Sequence, residues 1–446
     1  MINNLRKFIP EKDSQAFWLS FFLCLFFCSV ILFVVSPITG LSKNFGAGND
    51  GYIQLARSLA AGFGYVFEKD GPAVFHRPPL YPFFLVPVAL FPEPLQRYVI
   101  VIPQSILVGF IGMMIFKIAN RLYNRIVAAV ALLLFLINPW VYWNAKNPMT
   151  PILQTFLYLI FAYFSAVELF EIFNQVGRRA KSQLWSHGFI IGAFGAGLAL
   201  THAAMLPVVF IFIFVLFIAA LFKDTRHLLT ALIAVLVAVC FIAPWTYRNW
   251  VVFHKFIPVS GGGGLAYFNG NVHWAGIEPE PQRPDETYID ASLRILGIEG
   301  TEQTQTHWKG FKDINLEELA NKKMAEHIRN HPVLFIKKVI LNAVEYYFPA
   351  FTAPFLAIKA VTVEQWALSI FHLVLWITTV WGILCCRRMG FLLLAGIIFY
   401  SVWYFPFATG FIGHNLYTFG TIPFLCIMSA AGIVYFFRKE KQTMSY

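Results

Sequence analysis

Apolar runs approaching the roughly 20 residues that cross a bilayer recur along the whole chain. They predict membrane spans over 17–36, 98–116, 126–143, 150–173, 184–202, 203–222, 227–245, 364–385, 389–409 and 416–437. Two further segments are shorter or more polar. Segment 80–92 is interrupted by Pro82, Pro87 and Pro92, and 333–350 carries Lys337, Lys338 and Glu345, which hydrocarbon tolerates poorly. Both are expected to lie along the interface. The pattern predicts an all-α polytopic membrane protein of about 10 spans, with interfacial helices in its first outer loop and a small outer domain. It divides into a membrane module with that loop (1–245), an outer segment (246–363) and C-terminal spans (364–446).

Composition sharpens this picture. Of 446 residues, 58% are hydrophobic and 13% charged, with a mean hydropathy of +0.64. An ordinary soluble chain is about half apolar and about a quarter charged, so a soluble or singly anchored protein is excluded. The first run has no A-x-A-like cleavage site and is expected to be a retained helix. All six cysteines fall in apolar runs or at the end of one, which speaks against disulfides and cysteine-bound zinc.

Charge placement orients the spans. Arg6, Lys7 and Lys12; Lys117, Arg121 and Arg125; Arg178, Arg179 and Lys181; Lys223 and Arg226; Arg387 and Arg388; and Arg438, Lys439 and Lys441 fall on one side if segment 80–92 does not cross. By the positive-inside rule that side is cytoplasmic and holds both termini. The net charge of +11 then reflects orientation, not nucleic-acid binding. Segments 37–97 and 246–363 lie on the other side, and 11 of the 23 acidic residues fall between Glu278 and Glu326. The spans hold few carboxylates, Glu168, Glu171 and Glu364, and no fixed-period repeat is visible; both speak against an ion-coupled transporter.

Candidate chemistry gathers in the non-cytoplasmic segments. Asp50 follows a Gly-rich stretch and precedes an amphipathic run from Tyr52 to Ala61. It can cap that helix, and it can also act as a general base at the water–lipid boundary. Arg77 stands before Pro78 and Pro79 at a helix start, and Arg248 lies in the aromatic run Pro244–Trp250 at the end of a span. Each is either a snorkelling interfacial arginine or, through its guanidinium fork, a ligand for a lipid phosphate. Gly261–Gly264 lacks a following Lys-Ser or Lys-Thr and reads as a flexible hinge. His187, His202, His227 and His372 read as isolated packing or capping groups, and no cluster has metal-ligand spacing.

The motif order resembles that of glycosyltransferase family 39-like membrane enzymes of the GT-C superfold, relatives of protein O-mannosyltransferases and lipid A aminoarabinose transferases. The resemblance rests on Asp50-Gly51-Tyr52, Leu55-Ala56-Arg57, Leu59 to Gly62, Gly64-Tyr65 and Arg77-Pro78-Pro79-Leu80-Tyr81-Pro82. It continues through Gly192–Leu200, Pro244–Asn249, Pro258–Gly261, Asn269-Gly270-Asn271 and His331-Pro332, over nearly the whole chain. It implies a GT-C-type bundle in a bacterial inner membrane. The implied reaction passes a sugar from a polyprenyl-phosphate donor to a hydroxyl of a glycan, lipid or protein on the periplasmic face, with inversion. By position, Asp50 is the implied base, while Arg77, Arg248 and His414 are the implied contacts of the donor phosphate. Tyr52, His76, Tyr81, Tyr247 and Tyr417 are the expected pocket residues. Where relatives carry a second acidic residue this chain has Lys146-Asn147-Pro148, so a divalent metal is not favoured; in a separate departure His202 stands where an arginine is common. A polymerase or ligase of lipid-linked oligosaccharides is the rival enzyme, and a lipid or glycan flippase the non-enzymatic rival.

Overall fold

The computed structural model describes residues 13–35, 51–174, 181–271, 287–301, 313–348, 350, 363–385 and 419–443. Its helices are α1 (Asp13–Val30), α2 (Tyr52–Ala60), α3 (Leu80–Ala89), α4 (Glu93–Val99), α5 (Val101–Leu122), α6 (Arg125–Leu136), α7 (Pro139–Lys146), α8 (Pro151–Asn174) and α9 (Lys181–Thr201). There follow α10 (Met205–Lys223), α11 (Leu228–Phe253), α12 (Gly263–Asn271), α13 (Tyr288–Leu296), α14 (Ile314–Asn330), α15 (Pro332–Tyr347), α16 (Val363–Cys385) and α17 (Ile422–Thr443). Among the described residues seven helices are long and apolar enough to cross a membrane, or eight if one bent pair counts as a span. The protein is an all-α polytopic membrane protein. Segment 389–409 lies outside the described residues.

The structure differs from the predicted spans in two places and agrees with the sequence at a third. The span predicted over 126–143 is broken into α6 and α7, which meet at 55°. Asn138 accepts the Trp140 N–H and Pro139 sits at the first helical position, so the second helix starts afresh. The span predicted to end at 245 instead runs to Phe253 through Pro244. Leu80–Ala89 is a helix of 10 residues, too short to cross, as its prolines foretold.

Small residues allow the helices to approach closely. A side chain at Gly188 would come within 2.7 Å of the Thr230 carbonyl, and one at Gly192 within 2.5 Å of the Ala234 carbonyl, so this glycine stripe seats α9 on α11. Outward faces carry large exposed apolar side chains such as Phe222, Leu236 and Phe214, as lipid contact requires.

The helices α12, α13 and α14 have an apolar cluster of their own, with Leu265, Phe268, Ile289, Leu293 and Ala320 at its centre. Here the structure departs from the flexible hinge expected at Gly261–Gly264. The Gly262 and Gly264 N–H groups donate to Glu317 Oε1 at 2.9 and 3.0 Å, and the Leu265 N–H donates to Oε2 at 3.1 Å. The glycines are needed for fit, because Gly262 has φ +99° and a side chain at Gly264 would collide with the backbone of α14. The carboxylate satisfies the free N–H groups of the α12 start.

Candidate functional site

The site is built where the α11 C-terminus meets the segment between α2 and α3. α2 is preceded by Gly51 at its N-cap, whose φ of +82° and contact with the Phe67 ring exclude a side chain. After α2 the chain folds back through a turn at Glu68–Gly71, with Val66 paired to Ala73 and the Val74 N–H donating to the Tyr65 carbonyl at 3.0 Å. This hairpin presents Val74 to Arg77. Its exit is fixed by the buried Tyr65, whose hydroxyl donates to the carbonyls of Arg77 and Pro78 at 3.0 and 2.9 Å.

The Arg77 guanidinium lies over the Tyr52 ring, 5.2 Å from its centroid. Tyr52 in turn meets Tyr81 edge to face at 5.2 Å. The fully buried Tyr81 donates to Gln104 Oε1 at 3.4 Å, and the Gln104 amide donates to the carbonyls of Ala145 and Asn147 at 3.2 and 2.7 Å. Between those carbonyls stands Lys146, buried, with Nζ 4.2 Å from the Trp143 ring centroid. Residues from α2, α3, α5 and α7 thus converge on one end of the bundle. Stacking on an aromatic face leaves a guanidinium edge able to grip an oxyanion.

Arg248 approaches the hairpin from its other side. It packs over Tyr65, Trp245 and Phe253, and donates to the Val74 carbonyl at 3.1 Å and to Asn249 Oδ1 at 2.9 Å. Arg248→Ala is expected to destabilise the folded protein by about 1.5–3 kcal/mol through the lost charged hydrogen bonds. A thermal unfolding midpoint unchanged in the variant would contradict the bracing role.

His76 is buried between the Phe67 and Phe75 rings. Burial, and then the charge of Arg77, hold its imidazole well below the usual histidine range. His202, one residue beyond α9, is pushed down to about 4 by the same two causes, so Arg77 has an imidazole neighbour from each of two elements. Both rings stay neutral in the folded chain at pH values where the unfolded chain protonates near 6.5. Their stabilising contribution is complete above that value and is lost as pH falls toward the folded values. The thermal midpoint is therefore expected to drop between pH 7 and pH 5, with a shallower slope in His202→Asn. Equal slopes in the two proteins would remove His202 from this account.

Of the residues selected from sequence, the structure brings Tyr52, His76, Arg77 and Tyr81 together and sets Arg248 behind them. Tyr247, 69% exposed, lies elsewhere, lining an apolar groove of about 550 Å³ with Leu206, Phe210 and Phe256. Asp50, His414 and Tyr417 lie outside the described residues. Sequence reasoning missed the parts played by Tyr65, Gln104 and Lys146, and it read His202 as a packing group.

Two histidines expected to be isolated are not. At the opposite end of the bundle His187 and His227 both meet Glu168. Among the described residues, no three His, Cys, Asp or Glu side chains gather as metal ligands.

No protein-family profile matches the sequence, and no curated protein is significantly similar to it. Among solved structures, ArnT from Cupriavidus metallidurans in the apo state is similar at a TM-score of 0.35 and 15% identity, over 90% of this chain and 77% of that one. The same protein bound to undecaprenyl phosphate gives a TM-score of 0.36 with the same identity and coverage. Overlap this loose assigns no residue of one chain to a residue of the other.

Proposed function

We propose that this protein is an integral membrane glycosyltransferase. It takes a sugar from a polyprenyl-phosphate donor and passes it to an acceptor hydroxyl at the non-cytoplasmic face of a bacterial inner membrane. The observation that carries this reading is the setting of Arg77. Its guanidinium is stacked on Tyr52 and its backbone is held by Tyr65, at the end of a bundle of membrane-crossing helices. A cation built into that position suits a phosphate whose ester chain stays in lipid while its head reaches the boundary.

Asp50 supplies the second half of the reaction. It is covalently two residues from Tyr52, and two residues of chain span at most about 7 Å. In the proposed step the Asp50 carboxylate takes the acceptor's hydroxyl proton, and that oxygen bonds to the anomeric carbon. The bond from that carbon to the phosphate oxygen breaks, and the lipid phosphate leaves with the electron pair. A single in-line displacement inverts the anomeric centre. Negative charge grows on the phosphate as the bond breaks, so Arg77 stabilises the transition state more than the bound donor. No step is routed through a metal.

The positive-inside rule, applied to Lys117, Arg121, Arg125, Lys223 and Arg226 at the far end of the bundle from Arg77, supports a cytoplasmic side opposite the proposed site. The test is incubation of the purified protein in liposomes with a radiolabelled polyprenyl-phosphate sugar and cell-envelope acceptors, with and without EDTA. Label is expected to move to an acceptor and to be insensitive to chelation. Movement of labelled lipid across the bilayer without transfer would replace this reading by a flippase. Growth of lipid-linked oligosaccharide would replace it by a polymerase.

A further inference from the structure

We propose that Glu317 is a positioning residue for Arg77, holding the donor-phosphate cation in place through the glycine loop of the outer domain. This rests on the reading of Arg77 given above. The connection is a short run of hydrogen bonds. Glu317, 4% exposed on α14, accepts the Gly262, Gly264 and Leu265 N–H groups, and the Asn321 amide donates to its Oε1 at 2.8 Å. The loop so fixed donates from the Gly261 N–H to the Phe75 carbonyl at 2.9 Å, two residues before Arg77. A side chain at Gly261 would stand 3.0 Å from the Phe75 ring, so loop and hairpin touch there without spare room.

The hairpin strand is consequently held along its length from three directions. Arg248 takes the Val74 carbonyl, Gly261 takes the Phe75 carbonyl, and Tyr65 takes the carbonyls of Arg77 and Pro78. Two of these anchors come from the membrane module. The Gly261 anchor is the one that belongs to the loop leading into the outer domain, and its geometry is set by Glu317. The residues just before it are themselves tied to α11, because Trp245 and Asn249 donate to the Val259 carbonyl at 2.7 and 3.1 Å. Loss of the carboxylate therefore does not free the loop as a whole. It releases the stretch from Gly261 to Leu265, and with it the end that holds Phe75.

A capping residue that merely stabilises α12 would change the folding of the outer domain and leave donor use alone. The experiment compares the full-length wild type with Glu317→Gln and with the milder Asn321→Ala, which keeps the carboxylate and removes only the donor that orients it. Affinity for a polyprenyl phosphate in detergent micelles is read alongside donor KM, acceptor KM and amide hydrogen exchange at Val74 and Gly261. Glu317→Gln is expected to weaken polyprenyl-phosphate binding about tenfold and to raise donor KM with acceptor KM unchanged. Exchange at the Gly261 N–H, which donates to the Phe75 carbonyl, and at the Val74 N–H, which donates to the Tyr65 carbonyl, is expected to quicken about tenfold, and Asn321→Ala should follow in the same direction with smaller changes. Faster exchange with unaltered donor binding in both variants would overturn the positioning role while leaving the donor reading intact. A wild type that binds no polyprenyl phosphate would overturn both, which the first comparison distinguishes. If Glu317→Gln does not fold, unaltered donor KM and unaltered exchange in Asn321→Ala would overturn the proposal.

Discussion

Asp50→Asn is expected to abolish measurable sugar transfer, a loss of about 10²–10⁴-fold, while the donor still binds. The exchange keeps size and hydrogen-bonding reach and removes only the ability to take a proton, so a general base is the role it tests. Arg77→Ala should behave differently. On the proposed reading its guanidinium meets the donor phosphate both before and during bond cleavage, so donor affinity and kcat are expected to fall together, by about 2–4 kcal/mol in transition-state stabilisation. That corresponds to about 30- to 1,000-fold in kcat/KM. Arg77→Lys keeps the charge and loses the planar fork over Tyr52, so it should recover only part of the activity. The contrast is the diagnostic feature: one variant binds and does not turn over, and the other does neither well. Transfer by Asp50→Asn at the wild-type rate would remove the base, and unchanged donor kinetics in Arg77→Ala would reduce Arg77 to an interfacial anchor.

Much of the membrane architecture was legible because the signal is local. A run of about 20 apolar residues is sufficient in itself to predict a crossing helix, and the described spans fall close to those runs. The break at Asn138-Pro139 was also written in the chain, as a capping residue followed by a first-turn proline, but hydropathy averaged over 126–143 conceals it. The grouping of Tyr52, His76, Arg77 and Tyr81 was legible for a related reason: they lie within 30 residues of one another at two helix starts. What escaped depends on contacts between distant elements. Gln104 becomes a structural pivot only because α5 brings it under Tyr81 and beside Ala145 and Asn147. The glycine run was read as a hinge because its partner, Glu317, is more than fifty residues further on. A glycine run predicts backbone freedom; only the fold shows that this freedom is used to fit a tight turn against α14.

Replacing Glu168 by Leu is expected to be the most destabilising single substitution outside the candidate site, at about 3–5 kcal/mol. Its carboxylate, 1% exposed inside α8, has Oε2 3.0 Å from His187 Nδ1 on α9 and Oε1 2.6 Å from His227 Nδ1 beside the start of α11. Where the carboxylate is ionised it only accepts, and Nδ1 of each ring is then the donor. One side chain thereby ties three membrane helices together, and a second carboxylate, Asp224, stands 3.8 Å from His227 Nε2 and pairs with Arg226. Removing Glu168 leaves two imidazoles facing an apolar interior without their acceptor, whereas Glu168→Gln keeps one acceptor oxygen and should cost less, about 1–3 kcal/mol. A double-mutant cycle with His187→Ala should then show coupling of about 1–3 kcal/mol, since the two groups touch. Because the cluster sits at the end of the bundle opposite Arg77, the surviving folded fraction should keep its donor KM. Reversible unfolding in mixed micelles reads the first quantity and transfer kinetics at permissive temperature the second. A Glu168→Leu protein as stable as wild type would mean that the three helices are held by packing of small residues such as Gly188 and Gly192 alone, with the carboxylate adding nothing to it.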